Sequence, residues 1–278
     1  MSKPAFAIGD VLKAGWAGFK KNAKFLIVPI ILIFALVIVF YTILFAMHAQ
    51  GMLYHGMIGS APAMVLVRFF IIYIIYLLIA IYLGLSLLRT AIDTAKGKKL
   101  SWDILHNDIG YYFRYLLTII LFCVVIFVIP ALLLVAAIAT HNVAAGILIC
   151  FVAFVLCIIL MFLFSPVIFF AADKEQKTDF VGFFTKSYQI VTKNLGQLIL
   201  YTLALIGIFI LAVIVLAIVL SLLAVIVLLA SRGNHAVTII TMMALYLIGI
   251  FAIYILVGLP IYVSTATVYK KLVYPKKR

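Results

Sequence analysis

The sequence predicts an all-α polytopic membrane protein: about six transmembrane helices forming three hairpins, each preceded by a short amphipathic cytoplasmic helix. Three observations predict it. The 278 residues are 69% apolar and only 10% charged, against about 25% charged in a water-facing domain, so no solvated surface could be built from them. Six runs, near 25–47, 64–88, 116–139, 144–171, 198–230 and 236–268, each supply the roughly 20 apolar residues that a hydrocarbon core about 30 Å thick requires. These runs are apolar on all faces, whereas membrane-barrel strands alternate. Even the β-branched stretch LAVIVLAIVLSLLAVIVLLA is expected to be helical, because in lipid only a helix pairs its backbone within its own segment.

The elements follow in order. Residues 1–22 read as an N-terminal amphipathic interfacial helix, without the apolar core and small-residue cleavage site of a signal peptide. Residues 23–278 read as the six-helix domain, with cytoplasmic elbows near 89–115 and 172–197 and a basic C-terminal tail. Lys and Arg set the orientation: 19 of the 21 fall in the N-terminal segment, the two elbows and the tail, leaving Arg68 and Arg232 on the opposite side. The positive-inside rule makes the rich side, and with it both termini, cytoplasmic. All seven acids lie on that side too. A net charge of +14 placed this way points to anionic lipid headgroups as partners and not to nucleic acid.

A threefold pattern runs through the chain. Each odd-numbered span follows an aromatic, amphipathic segment: IGDVLKAGWAGFKKN, SWDILHNDIGYYFRY and DFVGFFTKSYQIVTKN. The first and third agree best, Lys21-Asn22 then Leu26-Ile27 against Lys193-Asn194 then Leu198-Ile199. Ile8, Leu12 and Phe19 share one helical stripe with Trp16 at its edge, and Phe180, Phe183, Phe184 and Val191 form another. Candidate N-caps are Ser2 or Asp10, Ser101, and Thr178 or Asp179. Such helices suit the headgroup plane, and they can equally pack beneath the bundle. The even-numbered spans end in LGLSLLRTAID, SPVIFFAAD and LPIYVSTATVYKKL, where Pro166 and Pro260 are expected to bend the helix. Three hairpins around a pseudo-threefold arrangement are expected.

The LKAGWAGFKKN elbow, the RTAIDTAKGKKLSWD loop, SPVIFFAADKE followed by SYQIVTKN, and the terminal P-x8-YKKL pattern together carry a resemblance. The chain resembles the membrane domain fused to some glycerophosphodiester phosphodiesterases, and related stand-alone bacterial membrane proteins. The resemblance covers nearly the whole chain and implies six helices in a bacterial cytoplasmic (inner) membrane. It does not imply phosphodiesterase activity, which belongs to a separate soluble domain.

Residues able to carry chemistry are few. No acid lies within a span, which disfavours an ion-coupled transporter. Arg68 either snorkels to outer phosphates or contacts an anion in an outward-facing cavity. His48, His55, His141 and His235 fall in outer connections and His106 in a cytoplasmic one, without ligand spacing, so no metal or other cofactor is expected. Cys123, Cys150 and Cys157 lie in apolar runs and form no CxxC pair. Tyr73, Tyr76 and Tyr82 in the second span, and Tyr246, Tyr254 and Tyr262 in the last, need hydroxyl partners, as interhelix contacts or as the lining of a cavity for an amphiphile. Gly207, Gly249 and Gly258 are expected to let helices approach closely. The cytoplasmic Asp93, Asp103, Asp108, Asp173 and Glu175 sit in no HExxH, GxSxG, P-loop or GxGxxG arrangement, so no catalytic residue is assigned.

The expected role is therefore that of a non-enzymatic membrane protein that organises or partners with lipids, peptides or other membrane proteins, itself included. Its candidate membrane-surface contacts are Trp16, Lys20, Lys21, Lys24, Lys186, Lys193, Lys270 and Lys271. Its candidate cavity or interhelix contacts are Arg68, Tyr73, Tyr76, Tyr246 and Tyr254. The alternatives are a channel or facilitator for an uncharged or amphiphilic molecule, and an interfacial lipid-acting enzyme whose acids converge.

Overall fold

A backbone amide in lipid has no water to bond, and the helix is the element that bonds it locally. The computed structural model follows that rule: it describes residues 5–54, 62–139, 143–230 and 235–275, and among these there is no strand. In chain order the helices are α1 Ile8–Tyr54, α2 Pro62–Lys96, α3 Ile109–Ala139, α4 Val143–Phe164, α5 Pro166–Ala172, α6 Phe180–Lys193, α7 Leu195–Ala230, α8 His235–Ile253 and α9 Leu259–Val273. A 3-10 turn, Trp102–Leu105, precedes α3, and a π turn, Tyr254–Gly258, joins α8 to α9. Six stretches are long and apolar enough to cross a membrane: Ile8–Ala46, Val67–Lys96, Ile109–Ala139, Val143–Ala172, Leu195–Leu228 and Thr241–Val273. Ser2, Lys3, His55, His141, Arg232 and Lys276, Lys277 and Arg278 lie outside the described residues.

Each bend has a local cause. α1 leaves helical geometry at Asn22 (φ −121°, ψ 19°), whose side-chain amide donates to the Gly18 carbonyl four residues back. Asn194, between α6 and α7, makes the same bond to Ile190 at 2.9 Å. Proline removes the amide that would bond the carbonyl four residues earlier. At Pro166 that carbonyl is Phe162, and Ser165 Oγ donates to it instead at 3.1 Å. Ahead of Pro260 the ladder slips by one residue: the Leu259 amide reaches Tyr254, five back, and this is the π turn.

Two compact units result. The first comprises Met1–Ala23, Thr94–Lys98 and Tyr188–Arg278. Its apolar centre is Phe6, Val11, Tyr201 and Val268, flanked by Ile8, Leu12, Leu198, Leu205 and Leu272. The start of α1 docks most deeply through Val11, Gly15 and Phe19, with Ile8 and Leu12 of the stripe read from the sequence half-buried beside them. Gly15 is what allows it: a Cβ there would stand 1.9 Å from Ser264 Oγ and 2.9 Å from the Pro260 carbonyl. Gly18 is nearly as close, to Thr94 and Val263. Of the glycines expected to bring helices together, Gly249 does, against Leu216, while Gly207 meets nothing and Gly258 meets only Tyr254 of its own turn. Gln197 of α7 anchors the approach to α1, accepting from the Ala5 amide at 3.0 Å and donating to the Phe6 carbonyl.

The second unit comprises Lys24–Asp93 and Lys99–Ser187. α1 meets α2 through Phe40 stacked on Tyr76, with centroids 4.4 Å apart, and α3 pairs with α4 and α5. α6 docks through Phe183, stacked on Phe170, and through buried Ser187, which donates to the Leu163 carbonyl at 2.9 Å. The caps differ from expectation at two places. Asp10 sits inside the first turn of α1, and Ser101 makes no capping bond but donates to Asp103. Asp179 does cap α6, accepting from the Gly182 amide at 3.0 Å. The second elbow is not an amphipathic helix: after the 3-10 turn, residues 106–108 lead directly into α3.

Candidate functional site: basic and aromatic helix ends

The described lysines of the first unit flank the apolar runs. On the first turns of α1, Trp16 is 41% exposed and Lys20 Nζ lies 5.2 Å from its ring centroid. Lys20, Lys21 and Lys193 are exposed. Lys270 is not available in the same way: its ammonium donates to the Ala95 carbonyl at 2.8 Å, closing the C-terminal end of α2. Neighbouring Lys271 is half-buried. The segments of this unit carry thirteen of the 21 Lys and Arg but one of the seven acids, Asp10. The second unit carries the other eight cations and six acids.

In the second unit Lys24 is exposed, with Nζ 5.0 Å from the Phe25 ring. Lys186, expected at the membrane surface, is half-buried and donates to Gln176 Oε1 and Thr178 Oγ1, tying down the turn before α6. The tyrosines expected between helices do not bond there. Tyr73 is exposed, Tyr76 is half-buried against Phe40, and neither hydroxyl bonds another described residue. Tyr246 and Tyr254 of the first unit are exposed and equally unbonded among the described residues. Tyr82 alone of the second-span set makes tertiary bonds, donating to Leu105 O and accepting from the Asn107 amide, both at 3.0 Å. Arg68 is exposed near the start of α2. Cys123 and Cys150 are exposed on the apolar helices and Cys157 is half-buried, all three as free thiols.

A second group escapes a reading of the sequence. Arg89, counted there as a loop residue, belongs to α2 and is only 8% exposed. It donates through Nη1 to the His106 carbonyl at 3.3 Å and to Asn107 Oδ1. Arg114, in the second turn of α3, grips the end of α5 and the turn after it through Ala171 O, Asp173 O and Gln176 O at 3.0–3.4 Å. Asp173 is 2% exposed, and one of its carboxylate oxygens accepts the Glu175 amide. The guanidinium carbons of Arg89 and Arg114 and the ammonium of Lys174 stand 5.5, 5.3 and 5.3 Å from the centroid of one ring, Tyr111. Partial burial, then the charge of Arg89, hold the Lys174 ammonium below its usual range, with Asp108 and Asp93 pulling the other way. The signal in the sequence was periodicity: Leu85, Leu88 and Ile92 continue the apolar stripe past residue 88, which keeps Arg89 helical.

Fold and composition together define a multi-pass helical membrane protein. Compared with family models, curated proteins and solved structures, the chain finds no match.

Proposed function

We propose that this is a non-enzymatic protein of the bacterial inner membrane that gathers anionic lipid around a basic cytoplasmic end, and so organises lipids or partner membrane proteins. The observation that carries the reading is the charge division: the segments of the first unit have thirteen cations, twelve of them on the side the sequence assigns to the cytoplasm, to one acid. Each Lys or Arg held near an anionic leaflet contributes about 1 kcal/mol of attraction, with little to offset it there. Trp16 beside Lys20 supplies the amphipathic ring that favours the headgroup level. The matching bonds of Asn22 and Asn194 at matching Lys-Asn steps support an internal repeat that presents such an elbow more than once. That is also the pattern on which the resemblance to the phosphodiesterase-fused membrane domain rests. Of the acids, Asp103 bonds Ser101, Asp179 caps α6, and Asp173 is buried in a turn with its carboxylate accepting the Glu175 amide.

The test uses Trp16 as reporter. Trp102 packs against Phe25 with tilted rings whose centroids are 4.8 Å apart, so Trp102→Phe keeps an apolar ring there and leaves one tryptophan. The protein is reconstituted in mixed phosphatidylglycerol and phosphatidylcholine, with one or the other lipid brominated at equal mole fraction. Brominated phosphatidylglycerol should quench Trp16 more strongly, and the excess should fall on adding salt and in Lys20→Gln/Lys21→Gln. Equal quenching by the two lipids at low salt would overturn the proposal.

A further inference from the structure

The three cations around Tyr111 have donors to spare. Arg89 uses only Nη1 for protein acceptors, and Lys174 Nζ donates to none among the described residues. Arg114 Nε is buried without a hydrogen-bond partner among the described residues. Unused donors on Arg89 and at the buried Arg114 Nε are costly, and a polyanion with several acceptor oxygens is the group that satisfies many at once. Carboxylates do stand nearby: Asp173 in the turn, and Asp93 and Asp108 within Coulombic range of Lys174. What the cluster offers a phosphate is therefore its unused donors on fixed guanidinium groups, not an excess of positive charge.

We infer that Arg89, Arg114 and Lys174 form a binding site for a phosphate group, a phosphomonoester or phosphodiester, over the Tyr111 ring in the second unit. Arg89 and Arg114 are held by backbone carbonyls on either side, so the site is preorganised, and exposed Lys174 forms its entrance. The same chemistry serves a lipid headgroup or a water-soluble phosphate ester. The site shares no residue with the basic elbow of the first unit and stands or falls separately from it.

The experiment titrates the purified chain, in a zwitterionic detergent, with inorganic phosphate and glycerol phosphate in one arm and with phosphatidic acid in the other, read by phosphorus NMR and calorimetry. Saturable binding near one per chain is expected in at least one arm; the lipid arm alone identifies a headgroup, and both arms identify phosphate esters at large. Lys174→Gln, at an exposed position, should weaken it about tenfold, the effect of removing one charge-assisted contact. Lys20→Gln/Lys21→Gln should leave it unchanged, and Lys174→Gln should leave the quenching of Trp16 unchanged. Arg89→Gln should abolish binding, provided it keeps the wild-type melting profile. Saturation in neither arm, or wild-type affinity in Lys174→Gln, would overturn the site.

Discussion

At the scale of single residues the close contact of Gly15 with α9 is the most exacting feature. A side chain there meets backbone, which cannot swing aside, so Gly15→Ala should cost about 1–3 kcal/mol, the range for overpacking, and Gly15→Val more. Gly18→Ala meets the methyl of Thr94 at 2.9 Å, the far end of a side chain that can turn, and should cost less. Gly9→Ala enters open space in a helix and should be neutral or stabilising by about 0.4–1 kcal/mol. Melting temperatures of the three alanine variants in one detergent should fall in that order; equal values would contradict the docking of α1. Lys174 makes a prediction of opposite sign. Its proton is held less tightly in the folded chain than in the unfolded one, so the unfolded state binds more protons and stability rises with pH through the window below 10.5. Lys174→Gln removes that disfavoured charge, and thermal unfolding near neutral pH should show it no less stable than wild type.

Whole elements are held by capping groups that a hydropathy plot does not register. Asp179→Ala should cost about 1 kcal/mol through loss of the bond to the Gly182 amide, while Asp179→Asn, still an acceptor, should retain most of it. Hydrogen exchange at residues 180–183 is the sensitive readout, because the first amides of α6 are the ones uncapped. Gln197 plays the corresponding part ahead of α1. Gln197→Ala removes both bonds to residues 5 and 6 and should raise exchange over residues 5–12 with little effect on α7, whose backbone ladder does not depend on that side chain. The paired asparagines sit at matching bends, Asn22 within α1 and Asn194 just ahead of α7, where a side-chain amide donates to the carbonyl four residues back. The second elbow has no Lys-Asn step, and its Asn107 is engaged by Arg89, Ser86 and Tyr82 instead.

For the molecule as a whole the expected orientation rests on the lysine-rich segments between spans, because Lys and Arg resist translocation. In a variant with Cys123, Cys150 and Cys157 replaced, Lys177→Cys should react with a charged maleimide in inside-out vesicles and not in intact cells. The opposite pattern would reverse the topology and remove anionic cytoplasmic lipid as the partner. In the wild type the three native thiols lie on apolar helices, where lipid keeps water and the thiolate away. They should stay unlabelled by the charged reagent until the membrane is dissolved.

The sequence by itself determined the six spans, the absence of strands among the described residues, and the clustering of lysines at one set of helix ends. Each of these is a sum over neighbours in the chain: twenty apolar residues, or five cations between two runs. Tertiary structure decided which cations are free and which face of an elbow docks. Lys186 and Lys270 look like Lys20 and Lys193 in the sequence, yet the first pair is bonded to Gln176 and Ala95 and the second is exposed. Gly15 permits the close docking of α1 because Ser264 and the Pro260 carbonyl leave room for nothing larger, and no apolar periodicity encodes that. The cluster at Tyr111 joins residues 57 to 62 positions apart through Arg114. Desolvation and hydrogen bonding act between groups that meet in space, so they stay hidden until the chain has folded.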